Sequence, residues 1–252
     1  MNDDANSLQG KTVLITGAAR RVGACIATTL HRAGAQVVLH YRASSKEAHA
    51  LASELEASRP HSTLCLQADL LDVGSLPGLV AATLARFGRL DALINNASSF
   101  FPTAIGEINE AQWVDLIGSN LKAPLFLSQA AASALADARG AIVNIIDIHA
   151  ERPLKGYPLY CAAKAGLLGL TRALAIELSP KVRVNGVSPG PIEWPEDGAF
   201  SPEAQQAIID HTLLGRCGAP LDIARAVRFL LCDAPYVTGQ VINVDGGRSA
   251  HL

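Results

Sequence analysis

Short apolar runs alternate with helix-length amphipathic segments along nearly the whole chain. Thr12-Val13-Leu14-Ile15-Thr16 reads as a buried strand, and the turn from Gly17 to Gly23 leads into a helix ending near Arg32, with Gly34 beyond it. A second strand covers Gln36 to Tyr41. Ser44 with Glu47 three residues on reads as a capping box for a helix to about Ala57. Strands at 63–67 and 90–95 bracket a helix from about Val73 to Phe87, and a long helix is expected from Ala111 to Asp137. A fifth strand at 141–146, a helix from Pro158 to Leu178 and a sixth strand at 182–187 continue the pattern. Helices at 202–210 and 221–231 and a last strand at 240–244 complete it. Strands that are apolar throughout and alternate with helices predict a parallel sheet covered on both faces. The expectation is α/β: one Rossmann-type, doubly wound domain over residues 1–252 with about seven strands. The Pro/Gly/acid-rich interval 189–202 is long for a connection of this kind and reads as a substrate loop.

Composition narrows the function classes. Hydrophobic residues make up 49% of the 252 and charged residues 17%, enough to bury a large core. The 21 Lys and Arg face 23 Asp and Glu with no basic block, so neither nucleic acid nor an anionic membrane is expected as a partner. No apolar run approaches 18 residues, and the polar start at Met1 to Asn6 does not read as a signal peptide. Five cysteines (25, 65, 161, 217 and 232) are widely spaced without a CxxC; they read as reduced thiols of a cytoplasmic protein. No metal-ligand spacing occurs, so no metal is expected.

Two stretches carry candidate chemistry. The first is the Gly-rich turn between the first strand and first helix, where Gly17, Arg20, Arg21, Val22 and Gly23 offer a dinucleotide pyrophosphate a close backbone and a helix N-terminus. The second strand ends His40-Tyr41-Arg42-Ala43-Ser44 without the acid that grips the ribose of NAD. Arg20, Arg42 and Ser44, with His40 as a further donor, instead suit the 2′-phosphate of NADPH. The second stretch runs from Asp147 to Lys164. Tyr160 and Lys164 are four apart and share a helix face. An ammonium beside a phenol stabilises the phenolate, which would make Tyr160 an acid usable near neutral pH. Asp147 stands at the end of the preceding strand, where open α/β sheets place reacting groups.

The glycine turn, Asp69, Asn95-Asn96-Ala97, Asn120, Tyr160-x-x-x-Lys164, Asn185 and Pro189-Gly190 follow one another in an order that resembles the short-chain dehydrogenase/reductase family. The resemblance spans about Lys11 to Gly247. It implies Asp69 and Leu70 at the adenine, and Asn96 and Ala97 near its ribose. It also implies Lys164 on the nicotinamide ribose, Asn120 anchoring a relay water, and Pro189, Gly190 and Ile192 along the nicotinamide. Departures point to a subgroup. Most members carry Ser where this chain has Asp147, and glycine where Arg21 stands. With His40-Tyr41-Arg42 and Ser98-Ser99-Phe100, the set looks like the pteridine reductases, close to dihydrofolate and dihydromonapterin reductases. That implies NADPH-dependent reduction of a pterin or folate. Phe100 would stack on the ring, Arg21 and Ser98 would reach anionic oxygens of the cofactor and polar edges of the pterin, and Asp147 would serve a ring nitrogen or amino group. Trp194 is a candidate lid contact; His149 and Glu151 receive no role. A ketone or 3-oxoacyl thioester reductase and a non-catalytic NADPH sensor are the rivals. The family implies a homotetramer, which would carry residues 248–252 toward a neighbouring active site.

Overall fold

The structure, a computed structural model, describes residues 7–194 and 201–250. Seven strands form one parallel sheet: β1 (Thr12–Ile15), β2 (Gln36–Tyr41), β3 (Thr63–Gln67), β4 (Ala92–Asn95), β5 (Ala141–Ile145), β6 (Arg183–Pro189) and β7 (Val241–Val244). Their spatial order is β3-β2-β1-β4-β5-β6-β7. The order reverses between β1 and β4, and a crevice opens at the carboxyl ends of the strands at such a switch point.

Helices cover both faces, as expected. Successive strand residues point to opposite faces, so Val13 and Ile15 enter one core and Leu14 the other. Val13 and Ile15 pack with α1 (Arg21–Arg32) and α8 (Pro220–Cys232) through Ile26, Leu30, Ile223 and Val227. The opposite face holds α3 (Leu76–Phe87), α5 (Ala123–Ala138) and α6 (Pro158–Glu177), with Leu79, Leu127, Leu135 and Ala175 against Leu14, Leu93 and Ile142. Arg183 ties β6 to the end of α8: its guanidinium donates to the carbonyls of Leu230, Leu231, Ala234 and Val237.

Three local expectations change. The helix expected over 111–137 is α4 (Glu110–Ile117), a π turn at Gly118–Lys122, and α5. Pro124 has no N–H for the carbonyl of Asn120, so the ladder widens there, and Ala123 N donates to Gly118 O instead. The helix α2 (Ser45–Ser58) follows Ser44 as expected, but the Ser44 side chain makes no capping bond. The N-terminus of α4, by contrast, has a complete capping box: Asn109 Oδ1 accepts from Gln112 N, and Gln112 Oε1 accepts from Asn109 N. Finally, α6 is by length and composition apolar enough to cross a bilayer, against the expectation of no such run. It lies on the sheet, more than half buried, and carries the enclosed Lys164. Between β6 and α7 (Pro202–Asp210), residues 195–200 of the expected substrate loop lie outside the described residues.

Candidate active site

A cleft of about 760 Å³ lies at the carboxyl ends of β1, β2, β4, β5 and β6. Its floor begins with the glycine turn. Gly17 has φ +63°, and Asn96 Nδ2 donates to the carbonyls of Thr16 (2.9 Å) and Gly17 (3.1 Å). The Thr16 hydroxyl accepts from the N–H groups of Asn96 and Ala97. A Cβ on Gly23 would overlap Gly17 O, so helix and turn meet at a distance only glycine permits. Asn96 thus reaches the cleft mainly by fixing this turn.

The N-terminus of α1 opens into the same cleft. No side chain caps it and no acid stands in its first turn. It is suited to an anion, and Val22 and Gly23 lie beside it on the cleft wall. Arg20, Arg42 and Ser44 line the far side; neither guanidinium has an ion-pair partner among the described residues. These features fit a dinucleotide carrying an extra phosphate. His40 serves differently from the expected phosphate donor. Its Nε2 bonds Ala68 O and its Nδ1 accepts from Gly17 N, both at 3.2 Å. Burial lowers its pKa to about 4, so it is a neutral brace for the turn. Tyr41 is buried on the wall, and Asp69 and Leu70 close the cleft end, with Asp69 Oδ1 accepting from Leu71 N.

Arg21 departs from a glycine at a position that wants one: its φ is +50°. Its side chain crosses to the loop after β6. Nη2 donates to Glu193 O (3.1 Å) and Ile192 O (3.4 Å), and Nε lies 3.7 Å from Glu193 Oε2. Pro189, Gly190, Ile192 and Trp194 line the cleft on that side.

The proton-handling groups converge at the end of β5. Tyr160 Oη donates to Asp147 Oδ2 at 2.7 Å, and Asp147 Oδ1 accepts from His149 N at 2.8 Å. Burial and the Asp147 carboxylate raise the Tyr160 pKa well above its ordinary value. The expected acidification by Lys164 is therefore outweighed. Lys164 Nζ donates to Ile145 O at 3.0 Å and sits 5.7 Å from the Tyr160 ring centroid. Burial lowers its pKa to about 8, against a smaller upward pull from Asp147. Phe100 is half-exposed in the cleft, stacked on Tyr157 (centroids 4.6 Å apart) and edge-on to Tyr160. Ser98 is exposed beside it. Asn120 lies behind the cleft wall, with Nδ2 donating to Ser99 O and Leu116 O; its buried Oδ1 has no partner among the described residues. The π turn presents it there.

Arg248, expected near a neighbouring subunit's site, lines its own chain's cleft. Residues 251–252 lie outside the described residues. His149 also lines the cleft. Its place two residues beyond Asp147 was the only signal for it in the sequence.

Comparison with known proteins shows the family. The family profile described as enoyl-(acyl carrier protein) reductase matches residues 17–249. The chain is 41% identical to pteridine reductase 1 of Leishmania tarentolae over 94% of this chain and 95% of that protein. It is 35% identical to a 3-oxoacyl-[acyl-carrier-protein] reductase of Staphylococcus aureus over 94% and 97%. It is 36% identical to an uncharacterized oxidoreductase of Methylorubrum extorquens over 96% and 99%. The profile match over most of the chain, with these identities, shows that the chain is an oxidoreductase of the short-chain dehydrogenase/reductase family.

Proposed function

We propose that the protein is an NADPH-dependent pteridine reductase of the cytoplasm, working as a homotetramer. NADPH would be held by the α1 N-terminus at its pyrophosphate, by Arg20, Arg42 and Ser44 at its 2′-phosphate, and by Lys164 and the 189–192 segment at its nicotinamide end. When bound, it supplies the hydride. Trp113, Val114 and Leu125 on α4 and α5, all exposed, support self-association.

The observation that carries the substrate reading is the carboxylate on Tyr160. In this site Asp147 Oδ2, not a serine hydroxyl, receives the phenol. A ketone or thioester carbonyl offers Asp147 no proton, so the phenol stays held by a group that raises its pKa. A pterin presents amino and ring N–H groups. Donating one to Asp147 takes over the carboxylate and frees Tyr160 to hand its proton to a ring nitrogen. Phe100, already ring-stacked and half-exposed, gives the flat heterocycle a face.

The similarity to a 3-oxoacyl thioester reductase supports a second reading. NADPH oxidation with dihydrobiopterin and with an acetoacetyl thioester separates the two. Turnover of the pterin is expected, and turnover of the thioester alone overturns the proposal.

A further inference from the structure

A second cavity, of about 280 Å³, adjoins the active-site cleft. The two share Ile148, His149, Leu154 and Arg248, so a ligand can occupy both. The second cavity is also lined by Arg152 and His211, and among the described residues no carboxylate lines it. The contrast with the rest of the chain is sharp: overall the molecule is slightly acidic, with only seven histidines. Two of the seven, with two arginines, gather on this small surface.

The side chains are held in ways that leave positive charge facing the cavity. Arg152 is exposed, and its guanidinium has no hydrogen bond or ion pair among the described residues. Arg248 is half-buried and anchored by Nη1 to Ile208 O at 2.8 Å. His149 Nδ1 is engaged by Arg152 O, and His211 Nδ1 by Ala207 O, each at 2.8 Å. These bonds fix both rings. The wall between the two cavities is the segment that runs from Asp147. The hydrogen bond from His149 N to Asp147 Oδ1 therefore fixes the basic cavity directly beside the proton-handling carboxylate.

We propose that this cavity is an anion subsite for the tail of the substrate. The pterin ring lies in the cleft at Asp147 and Phe100, and an anionic oxygen group on its side chain, carboxylate or phosphate, docks between Arg152 and Arg248. Guanidinium groups match either anion through paired N–H donors. The preferred substrate is then a pterin conjugate with a charged tail rather than one with a neutral polyol tail. This inference rests on the pteridine reading above.

Its test is NADPH oxidation by the full chain with three substrates: dihydrofolate, dihydroneopterin phosphate and the neutral dihydrobiopterin. Wild type is compared with Arg152→Ala and Arg152→Glu. The expected result is a loss of about tenfold in kcat/KM for the anionic-tailed substrates in Arg152→Ala, mainly through KM. Arg152→Glu should lose more, and dihydrobiopterin should stay within about twofold. Whichever of dihydrofolate and dihydroneopterin phosphate shows the larger loss identifies carboxylate or phosphate as the ligand. Equal effects on neutral and anionic substrates, or none on any, overturn the subsite while leaving the pteridine reading intact. Absence of pterin turnover in the wild type overturns both.

Discussion

Lys164 makes the most direct test of the site's electrostatics. It is 2% exposed, and burial lowers its pKa from the ordinary 10.5 to about 8. The folded value lies below the unfolded one. Between about pH 8 and 10.5 the unfolded chain therefore holds a proton that the folded chain has released, and stability from this group rises with pH across that window. Below pH 8 both states are protonated and the full penalty applies, on the order of 3 kcal/mol. Lys164→Met keeps the apolar stem and removes the charge. It also removes the hydrogen bond to Ile145 O, a loss of about 1–3 kcal/mol that offsets the gain at pH 7. The pH dependence is free of that offset. Going from pH 7 to 9.5, wild type should gain about 2 kcal/mol relative to the variant. Urea unfolding of the two apo proteins at matched concentration, followed by circular dichroism at pH 7, 8, 9 and 9.5, measures this. Parallel stability curves would refute the reasoning, because Lys164 would then titrate in the fold as it does in the unfolded chain.

Two further outcomes are expected. Arg183→Met leaves the carbonyls of Leu230, Leu231, Ala234 and Val237 without their shared donor and should destabilise by about 2–4 kcal/mol; an unchanged urea midpoint would contradict that assignment. Arg42→Ala should weaken NADPH binding about tenfold while leaving NADH within about twofold, measured by quenching of protein fluorescence; equal weakening of both cofactors would remove Arg42 from the 2′-phosphate.

Much of the fold was legible because burial on both sheet faces forces a uniform apolar signal. Leu14, Leu93 and Ile142 enter one core while their strand neighbours Ile15, Ile94 and Val143 enter the other, so none of these strands alternates with polar residues. The ends of elements were less legible because they depend on single groups. Helical periodicity runs through 118–122 unbroken, yet the missing N–H of Pro124 widens the ladder there. The spacing of Ser44 and Glu47 satisfies a capping box, but Ser44 at φ −84° and ψ 56° makes no cap. A sequence spacing is necessary for such a bond and does not fix the side-chain direction.

The site shows the same division between spacing and geometry. The interval of four placed Lys164 near Tyr160 and invited the inference of an acidified phenol. That inference counted one charge, the one nearest in sequence. The phenol's proton is instead governed by burial and by Asp147, thirteen residues away just beyond β5, whose carboxylate approaches within 2.7 Å because the sheet and α6 pack together. Lys164 meanwhile spends an N–H on Ile145 O and is itself weakened as a cation by burial. Burial and a direct hydrogen bond to a carboxylate together outweigh a buried ammonium that lies over the ring, 5.7 Å from its centroid. His40 follows the same logic: its place near the end of β2 suggested a phosphate donor, but enclosure between Gly17 and Ala68 uses both ring nitrogens. Arg21 belongs here too. Its charge was legible, whereas the backbone at φ +50° that sends it toward Glu193 was not. In each case residue type specified what a side chain can do, and a non-local contact decided which of those capacities it uses.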